Sequence, residues 1–404
     1  MQPQTVLRID PDALVQVVEG DVRFSLGDVR VDTGPWGLKI LALFRVPRSL
    51  ADATAQMAGQ EASRKDWIQV SAHIYGLWQA GVLRDATGAA QPRRARLGNS
   101  SLRWQVRMLN DRTRTQAFLR AIRATVKPDD VVLDIGTGTG ILAIAAAQAG
   151  ARRVYAMEMT GLADLAEAMF RKNDPEGRIT LLRGRSHDLE LPEKATVLVS
   201  EIIGNDPLGE GVLETFIDAR QRLLTPDARI IPQAVTISVV PVRLPPDLLD
   251  RHRMTPENTA RWSADYGVDY SAARFGSHSD GLWFTGFDTD EFLRCHALGS
   301  PSMLARIDLT TATHMTHQAT AVLEVRESGP LHGYALCFEL EVGAGERLST
   351  LPPGYGSPAV APDNHWDVLM FLPLQPVEVS AGTRISLDYF YGHGWERMKA
   401  TILP

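Results

Sequence analysis

Val131-Val-Leu-Asp-Ile-Gly-Thr-Gly-Thr-Gly-Ile-Leu142 decides the fold of the middle of this chain. A β-branched run ends in Asp134 and turns through Gly136, Gly138 and Gly140 into an Ala-rich stretch. Strand, glycine loop and helix in that order bring bare backbone close to a ligand, because glycine accepts the turn and puts no side chain in the way. The next expected strand, Arg153-Val-Tyr-Ala-Met-Glu158, also ends in a carboxylate. An acid there can grip a ribose diol through charge-assisted hydrogen bonds.

The glycine spacing separates cofactor classes. A dinucleotide fingerprint runs G-x-G-x-x-G, with pyrophosphate on the helix N-terminus. Here the third glycine comes one residue earlier and Asp134 precedes the loop, the pattern expected for S-adenosylmethionine. Asp134, Gly136, Gly138, Gly140 and Glu158 are the resulting cofactor residues. Arg183 to Asp188 should edge the adenine, with Ser186, His187 and Asp188 as candidate contacts.

A second stretch, Ser200-Glu-Ile-Ile-Gly-Asn-Asp-Pro-Leu-Gly-Glu-Gly211, speaks to the substrate. Glu201 and Glu210 bracket a loop in which Gly204, Pro207 and Gly209 turn the chain and can aim both carboxylates into one space. Paired carboxylates suit a guanidinium, which offers five donors in a planar fork and stays protonated below a pH of about 12. Its nitrogen becomes a useful nucleophile only when bidentate partners fix it in line with the methyl.

With both stretches in view, the chain from about Arg103 to its C-terminus resembles the protein arginine methyltransferases. The glutamate spacing, the Gly-Glu-Gly ending and the Asp-Ile-Gly-Thr-Gly-Thr-Gly loop look most like the type III, monomethylating branch. The resemblance implies that Glu201 and Glu210 clamp the guanidinium. Trp104-Gln-Val-Arg-Met-Leu-Asn-Asp-Arg-Thr-Arg114 is similar to the family helix that closes over the cofactor. By that match Met108 and Asp111 lie near the acceptor arginine, and Arg114 meets the methionine carboxylate. Asn364-His365-Trp366 stands where the family has Thr-His-Trp, implying that His365 pairs with Asp111 and that Trp366 walls the arginine slot. An aspartate partner lets a histidine hold charge or pass a proton. Departures are Asn99-Ser-Ser-Leu102 in place of an aromatic cluster, Asn364 for Thr, and Val212 where many members have methionine.

Downstream of Ile230, short alternating segments read as strands: Ile230 to Val242, Ser302 to Leu309, Ala319 to Val325, Gly333 to Val342, Trp366 to Leu372 and Arg384 to Tyr391. Gly and Pro turns between them suit an antiparallel, barrel-like domain. Leu244 to about Asp290 breaks the alternation and looks like the family's dimerisation arm, implying a head-to-tail homodimer.

The first ninety residues carry a different pattern. Strands are expected at Thr5 to Ile9, Leu14 to Glu19, Val22 to Leu26 and Val29 to Asp32, followed by a helix from Trp36 to Arg45. A second helix is capped by Ser49, a third spans Arg64 to Gln79, and Gly81 to Arg84 closes a small winged-helix-like unit. Residues 1–84 hold nine basic and nine acidic side chains on a chain of net charge −6. Phosphate contacts dominate DNA affinity, so this balance argues against a nucleic-acid partner. The unit resembles the PqqD-like recognition element, which implies capture of the leader of a ribosomally made precursor peptide. An edge strand near Val29 to Val31 could accept that leader as one more strand.

The 404 residues, 44% hydrophobic and 22% charged, accommodate a multi-domain α/β chain. We expect a winged-helix-like domain over 1–88, and a linker, capping helices and class I (Rossmann-like) methyltransferase domain over 89–232. A β-barrel-like substrate domain follows over 233–404, with its arm at about 244–290. Asp85 to Gly98 reads as a tether. Cys295 and Cys337 have no metal-ligand spacing, and no apolar run is long enough for a bilayer, so a cytoplasmic protein with no membrane or metal partner is expected. The expected reaction is methyl transfer from S-adenosylmethionine, leaving S-adenosylhomocysteine, to an arginine of a precursor peptide. Alternatives are free arginine or another guanidine metabolite, a general protein substrate, or a non-catalytic peptide-binding role.

Overall fold

A computed structural model describes residues 6–10, 13–18, 21–26, 29–33, 36–58, 70, 73–74, 76–78, 81–85, 102–174, 176–253, 255–270, 282–355, 358–373, 375–392 and 395–404. The chain divides into two compact units, Met1–Arg96 and Leu97–Pro404. Of the expected features, the tether beyond Asp85, Asn99 to Ser101 and the arm residues 271–281 lie outside the described residues.

In the first unit, strands β1 (Val6–Ile9), β2 (Leu14–Val18), β3 (Asp21–Leu26) and β4 (Val29–Asp32) precede helix α1 (Gly37–Phe44), strand β5 (Arg48–Ser49), helix α2 (Leu50–Ala58) and strand β6 (Leu83–Asp85). Helical residues also occur between 70 and 78. The strands form two antiparallel sheets, β2-β3-β4 and β5-β1-β6. Leu7 of β1 and Phe24 of β3 join Ile40, Phe44, Ile74 and Leu77, at apolar positions of the helical pattern, in a separate core. Ser49 caps α2 as expected, its hydroxyl accepting the Asp52 N–H at 3.0 Å.

The second unit opens with α3 (Leu102–Asn110) and α4 (Arg112–Thr125). A doubly wound segment follows: β7 (Val131–Ile135), α5 (Ile141–Gln148), β8 (Arg153–Glu158), α6 (Leu162–Asn173), β9 (Ile179–Arg183), β10 (Ala195–Val199), α7 (Val212–Asp218) and β11 (Leu224–Ile231). Its five strands are parallel in the order β11-β10-β7-β8-β9, and β7 is buried along its whole length, as a sheet covered on both faces requires. The order reverses between β7 and β10, so their C-terminal ends form the crevice where an open α/β sheet binds ligands.

The stretch from Ile230 to Val242, where the expected run of short strands begins, divides between two strands. Ile230 and Ile231 finish β11, and β12 (Ala234–Arg243) starts afresh, because Pro232 has no N–H with which to continue a ladder. Helices α8 (Pro246–His252) and α9 (Pro256–Tyr266), strand β13 (Leu282–Phe287) and helix α10 (Thr289–Leu293) occupy the excursion. The remaining strands are β14 (His296–Ala297), β15 (Ser302–Asp308), β16 (Thr316–Glu324), β17 (Gly329–Leu331), β18 (Gly333–Gly343), β19 (Glu346–Ser349), β20 (Val368–Pro373), β21 (Val377–Val379), β22 (Arg384–Gly392) and β23 (Trp395–Ile402). They make one seven-stranded antiparallel sheet around β13-β20-β18-β12-β14, a β16-β22-β23 sheet and a β17-β21 pair. Strand β20 begins at Val368, two residues later than expected, because Asn364 to Trp366 close a loop in which Asn364 Nδ2 donates to the Trp366 carbonyl at 2.7 Å. One hydrophobic core runs from Phe118 through Leu133, Leu198 and Phe216 to Phe338, Tyr389 and Met398, joining the parallel and antiparallel sheets in a single body.

Candidate active site

The glycine loop lies at the end of β7. Gly136 has φ +78° and a Cβ added there would stand 2.6 Å from Ile202 Cγ2; Gly140 has φ +85° with Phe170 at 2.4 Å. Backbone conformation and space therefore both demand glycine at these two positions. Gly138 faces Gln105 of α3, whose amide contacts the Met108 sulfur at 3.8 Å. Helix α3 thus covers the loop.

Glu158 is buried at the end of β8, and its two oxygens accept the Gly138 N–H at 2.9 Å and the Thr160 N–H at 2.8 Å. Each oxygen keeps a second lone pair for a ligand hydroxyl. Asp134 is fully buried; one oxygen accepts the Thr137 hydroxyl at 2.5 Å, and Oδ1 has no partner among the described residues. Burial lifts its carboxyl to about 7, with nearby Glu158 adding to the rise and Thr137 opposing it. Ser186 to Asp188 form a short 3-10 turn after β9, in which Ser186 is buried, His187 half-buried and Asp188 exposed. Arg222 holds the turn from below by donating to the Ser186 carbonyl at 2.8 Å.

The glutamate loop leaves the end of β10, where the Ser200 hydroxyl donates to the Ile135 carbonyl at 2.9 Å. Glu201 turns back to accept the Ile203 N–H at 3.2 Å, and Glu210 Oε1 lies 3.2 Å from where a Cβ on Gly204 would sit. Glu201 thus folds against Ile203 and Glu210 against the adjacent Gly204, although Glu201 is buried and Glu210 exposed. Arg114 donates to Glu201 through Nη2, forming a pair with side chains 5% and 2% exposed. Burial lowers the guanidinium to about 10, which leaves it charged at neutral pH. Its Nε is buried without a partner. The residue expected at a cofactor carboxylate is thus also the residue that fixes the first glutamate.

Asp111 caps α4 by accepting the Arg114 N–H at 2.8 Å. Its other oxygen accepts both His365 Nδ1–H, at 2.8 Å, and the His365 backbone N–H, at 3.1 Å. The expected Asp111–His365 pair is present. Burial takes His365 below 6.5, opposed by the hydrogen bond that Nδ1–H donates to Asp111, so burial favours the neutral imidazole. Trp366 is buried, lies with its ring centroid 4.3 Å from that of His365 at a tilt of 39°, and donates its indole N–H to the Ile203 carbonyl at 2.8 Å. The Asn364 loop and the glutamate loop are tied directly through that bond.

Five residues that the sequence motifs did not single out hold the arrangement. Arg107 donates to Asp367 at 2.7 Å and to the His365 carbonyl at 3.0 Å. Asn205 pairs with the Asp367 backbone at 2.9 Å, and Asp363 accepts the Arg112 N–H at 2.9 Å, the Thr113 N–H at 3.1 Å and the Thr113 hydroxyl at 2.8 Å. Tyr391 donates its hydroxyl to the Leu208 carbonyl at 2.5 Å. The acid after His-Trp and the polar Asn-Asp in the glutamate loop were the available signals for this latch.

The site thus offers a glycine cradle, a carboxylate oxygen without a donor in Asp134, and a guanidinium N–H without an acceptor in Arg114. A ligand end that carries both an anion and a donor satisfies both.

Residues 111–233 match the family model described as ribosomal protein L11 methyltransferase (PrmA). The chain is 32% identical over 290 residues to the probable histone-arginine methyltransferase 1.4 of Arabidopsis thaliana, covering 70% of this chain and 53% of that protein. It is 28% identical over 313 residues to the protein arginine N-methyltransferase PRMT10 of the same plant, covering 71% and 79%. It therefore spans about half the length of the first relative and about four-fifths of the second. The Trypanosoma brucei PRMT1 enzyme-prozyme heterotetrameric complex with AdoHcy shares the fold, with a TM-score of 0.61 at 22% identity over 76% of this chain and 100% of that one. Arabidopsis thaliana protein arginine methyltransferase 10 does so with a TM-score of 0.56 at 23% identity over 76% and 99%. The Rossmann-like domain followed by an antiparallel β domain is common to all three.

Proposed function

We propose that this chain is an S-adenosylmethionine-dependent arginine methyltransferase of the protein arginine methyltransferase family, acting on a precursor peptide. The observation that carries the reading is the return of Glu201 and Glu210 onto Ile203 and Gly204, under the indole of Trp366 and beside the Asp111–His365 pair. The named relatives supply independent support.

Arg114 and Asp134 would hold the amino-acid end of the cofactor, Glu158 its ribose, and the Ser186 to Asp188 turn its adenine. The cofactor supplies an electrophilic methyl group when bound. Glu201 and Glu210 orient the guanidinium so that one nitrogen lies in line with that methyl, and proximity does most of the work. Met108 and Trp366 limit the slot. Neutral His365, hydrogen-bonded through Nδ1–H to Asp111, presents Nε2 as a proton acceptor. A proton leaving the guanidinium as the N–C bond forms would reside there.

Finer assignments follow the same line. The Gly209-Glu210-Gly211 ending and the Gly136 to Gly140 loop carry the monomethylating type III reading, and Val212, wholly buried in the first turn of α7, departs from the methionine of many members. The excursion carrying α8 and α9 serves as the arm of a homodimer, with Tyr266 and Val268 exposed at its described end. The N-terminal unit acts as a PqqD-like leader receptor; among the described residues β4 pairs only with β3, leaving one edge for an added strand. Tethering the leader raises the effective concentration of the core arginine, so weak affinity at the catalytic site suffices. Free thiols at Cys295 and Cys337 suit a cytoplasmic setting.

Intact-mass analysis of precursor peptides with and without their leaders tests this. Leader-dependent methylation of arginine is expected. Equal methylation of leaderless peptides removes the recruitment role, and an unmodified arginine in both removes the reaction.

A further inference from the structure

Away from the proposed site, one end of the large antiparallel sheet gathers positive charge, and the acid there, Glu327, is bonded to His296, the register partner of Arg243. Strands β20, β18 and β12 lie side by side, with Tyr334 opposite Phe371 and Val242 opposite Gly333. Carrying each register one or two residues further sets His332 between Arg243 on one side and Pro373 on the other. The His332 N–H donates to the Val242 carbonyl at 3.0 Å, which confirms the placement on the β12 side. Arg253, the C-cap of α8, reaches the Pro373 carbonyl through Nη2 at 2.5 Å.

Three cationic or donor side chains therefore close one sheet end. Arg253 is 7% exposed, and its Nη1 is buried with no hydrogen-bond partner. His332 is 6% exposed, and its Nδ1 accepts the Leu244 N–H at 2.9 Å, so Nε2 carries the proton and donates. Arg243 is half-buried with Nη1 against Gly329, where an added Cβ would come within 3.2 Å. Among the described residues no carboxylate pairs with Arg243, Arg253 or His332. A buried guanidinium N–H without an acceptor is costly, and an oxyanion is the group that relieves it.

We propose that Arg243, His332 and Arg253 form a binding site for a small oxyanion, a phosphate or a carboxylate, at the base of the α8–α9 excursion. Bound there, the anion neutralises Arg253 and fixes the end of α8, from which Arg253 also anchors Asn258 of α9 through its carbonyl at 3.0 Å. Burial together with Arg253 and Arg243 holds His332 below the ordinary histidine range, so an anion among them would raise it.

The test titrates the full chain with inorganic phosphate, and separately with acetate, at constant ionic strength set by chloride. The readout is the His332 imidazole signal in histidine-labelled protein, assigned with His332→Gln. A saturable shift is expected with at least one anion and none with chloride; which anion saturates at lower concentration identifies the ligand as phosphate or carboxylate. Arg253→Met should weaken the saturating anion by about tenfold or more, the effect of one lost charge-assisted hydrogen bond. No saturable shift in the wild-type chain overturns the site, whether or not the variant folds. A shift that survives unchanged in a folded Arg253→Met protein overturns the role of Arg253.

Discussion

Replacing Glu201 by Gln should cost stability as well as activity, whereas replacing Glu210 by Gln should cost activity alone. In the proposed function both substitutions remove half of the guanidinium clamp, so turnover should fall about 100-fold or more in each. The difference lies in Arg114. Its side chain is 5% exposed and pairs with a Glu201 side chain 2% exposed, so Glu201→Gln leaves a buried guanidinium without a counter-charge. Breaking a buried pair in this way costs about 3–5 kcal/mol, and the glutamine carbonyl, which still accepts a hydrogen bond, keeps the loss near the lower figure. Glu210 is exposed, and loss of a surface charge changes stability by about 0.5 kcal/mol or less. For a body of this size about 3 kcal/mol lowers Tm by roughly 4–5 °C. Urea and thermal unfolding of the full chain, read by circular dichroism beside a methyl-transfer assay, separate the two effects. A Glu201→Gln protein as stable as wild type would refute the reasoning. So would an equal loss in Glu210→Gln.

Three further outcomes follow from the site. Asp134 has a folded-state carboxyl near 7, above its unfolded value of 3.8, so the stability of its protonated form is fully present below about pH 4 and is lost as pH rises through 7. Asp134→Asn lacks this loss; melting temperatures from pH 4 to 8 should show it gaining on wild type by up to about 4 kcal/mol, and parallel curves would contradict the burial argument. His365, held below 6.5, keeps its neutral form through neutral pH, so kcat/KM should stay level down to pH 6.5 and fall only below it; an acid limb above 7 would show a charged imidazole instead. Asp367→Ala should remove the Arg107 ion pair and the Asn205 Nδ2 contact at 3.4 Å while leaving the Arg107 bond to the His365 carbonyl and the Asn205 bond to the backbone, loosening the His-Trp loop and raising KM for the peptide more than it lowers kcat in steady-state kinetics.

Much of the site was legible because its parts are local. The Gly136 to Gly140 turn, the acid ending β8 and the glutamate bracket each declare their local geometry within about a dozen residues, since dihedral demands and turn residues act at short range. The paired Asp111 and His365 lie 254 positions apart and entered only through a family resemblance. What no local pattern carried was how these parts hold one another. Arg107 and Asp367 are 260 positions apart, and Arg114 and Glu201 are 87 apart. Either arginine read alone is an ordinary helical cation. Strand β11 was missed for a related reason: Leu224 to Ile231 carries Pro226, Asp227 and Arg229, and only its parallel pairing with β10 makes it a strand. The sign of the His365 shift also needed the structure, because a nearby aspartate and deep burial push an imidazole in opposite directions and only the extent of burial decides.

The central claim is that the loop from Glu201 to Glu210 presents arginine for methylation. Its most direct test is the transfer of a labelled methyl group from S-adenosylmethionine to a peptide with a single arginine, beside the same peptide with lysine in that place. Fragmentation should locate the label on the arginine side chain, with no transfer to the lysine peptide. Label on lysine, on the backbone, or on neither peptide would contradict the account.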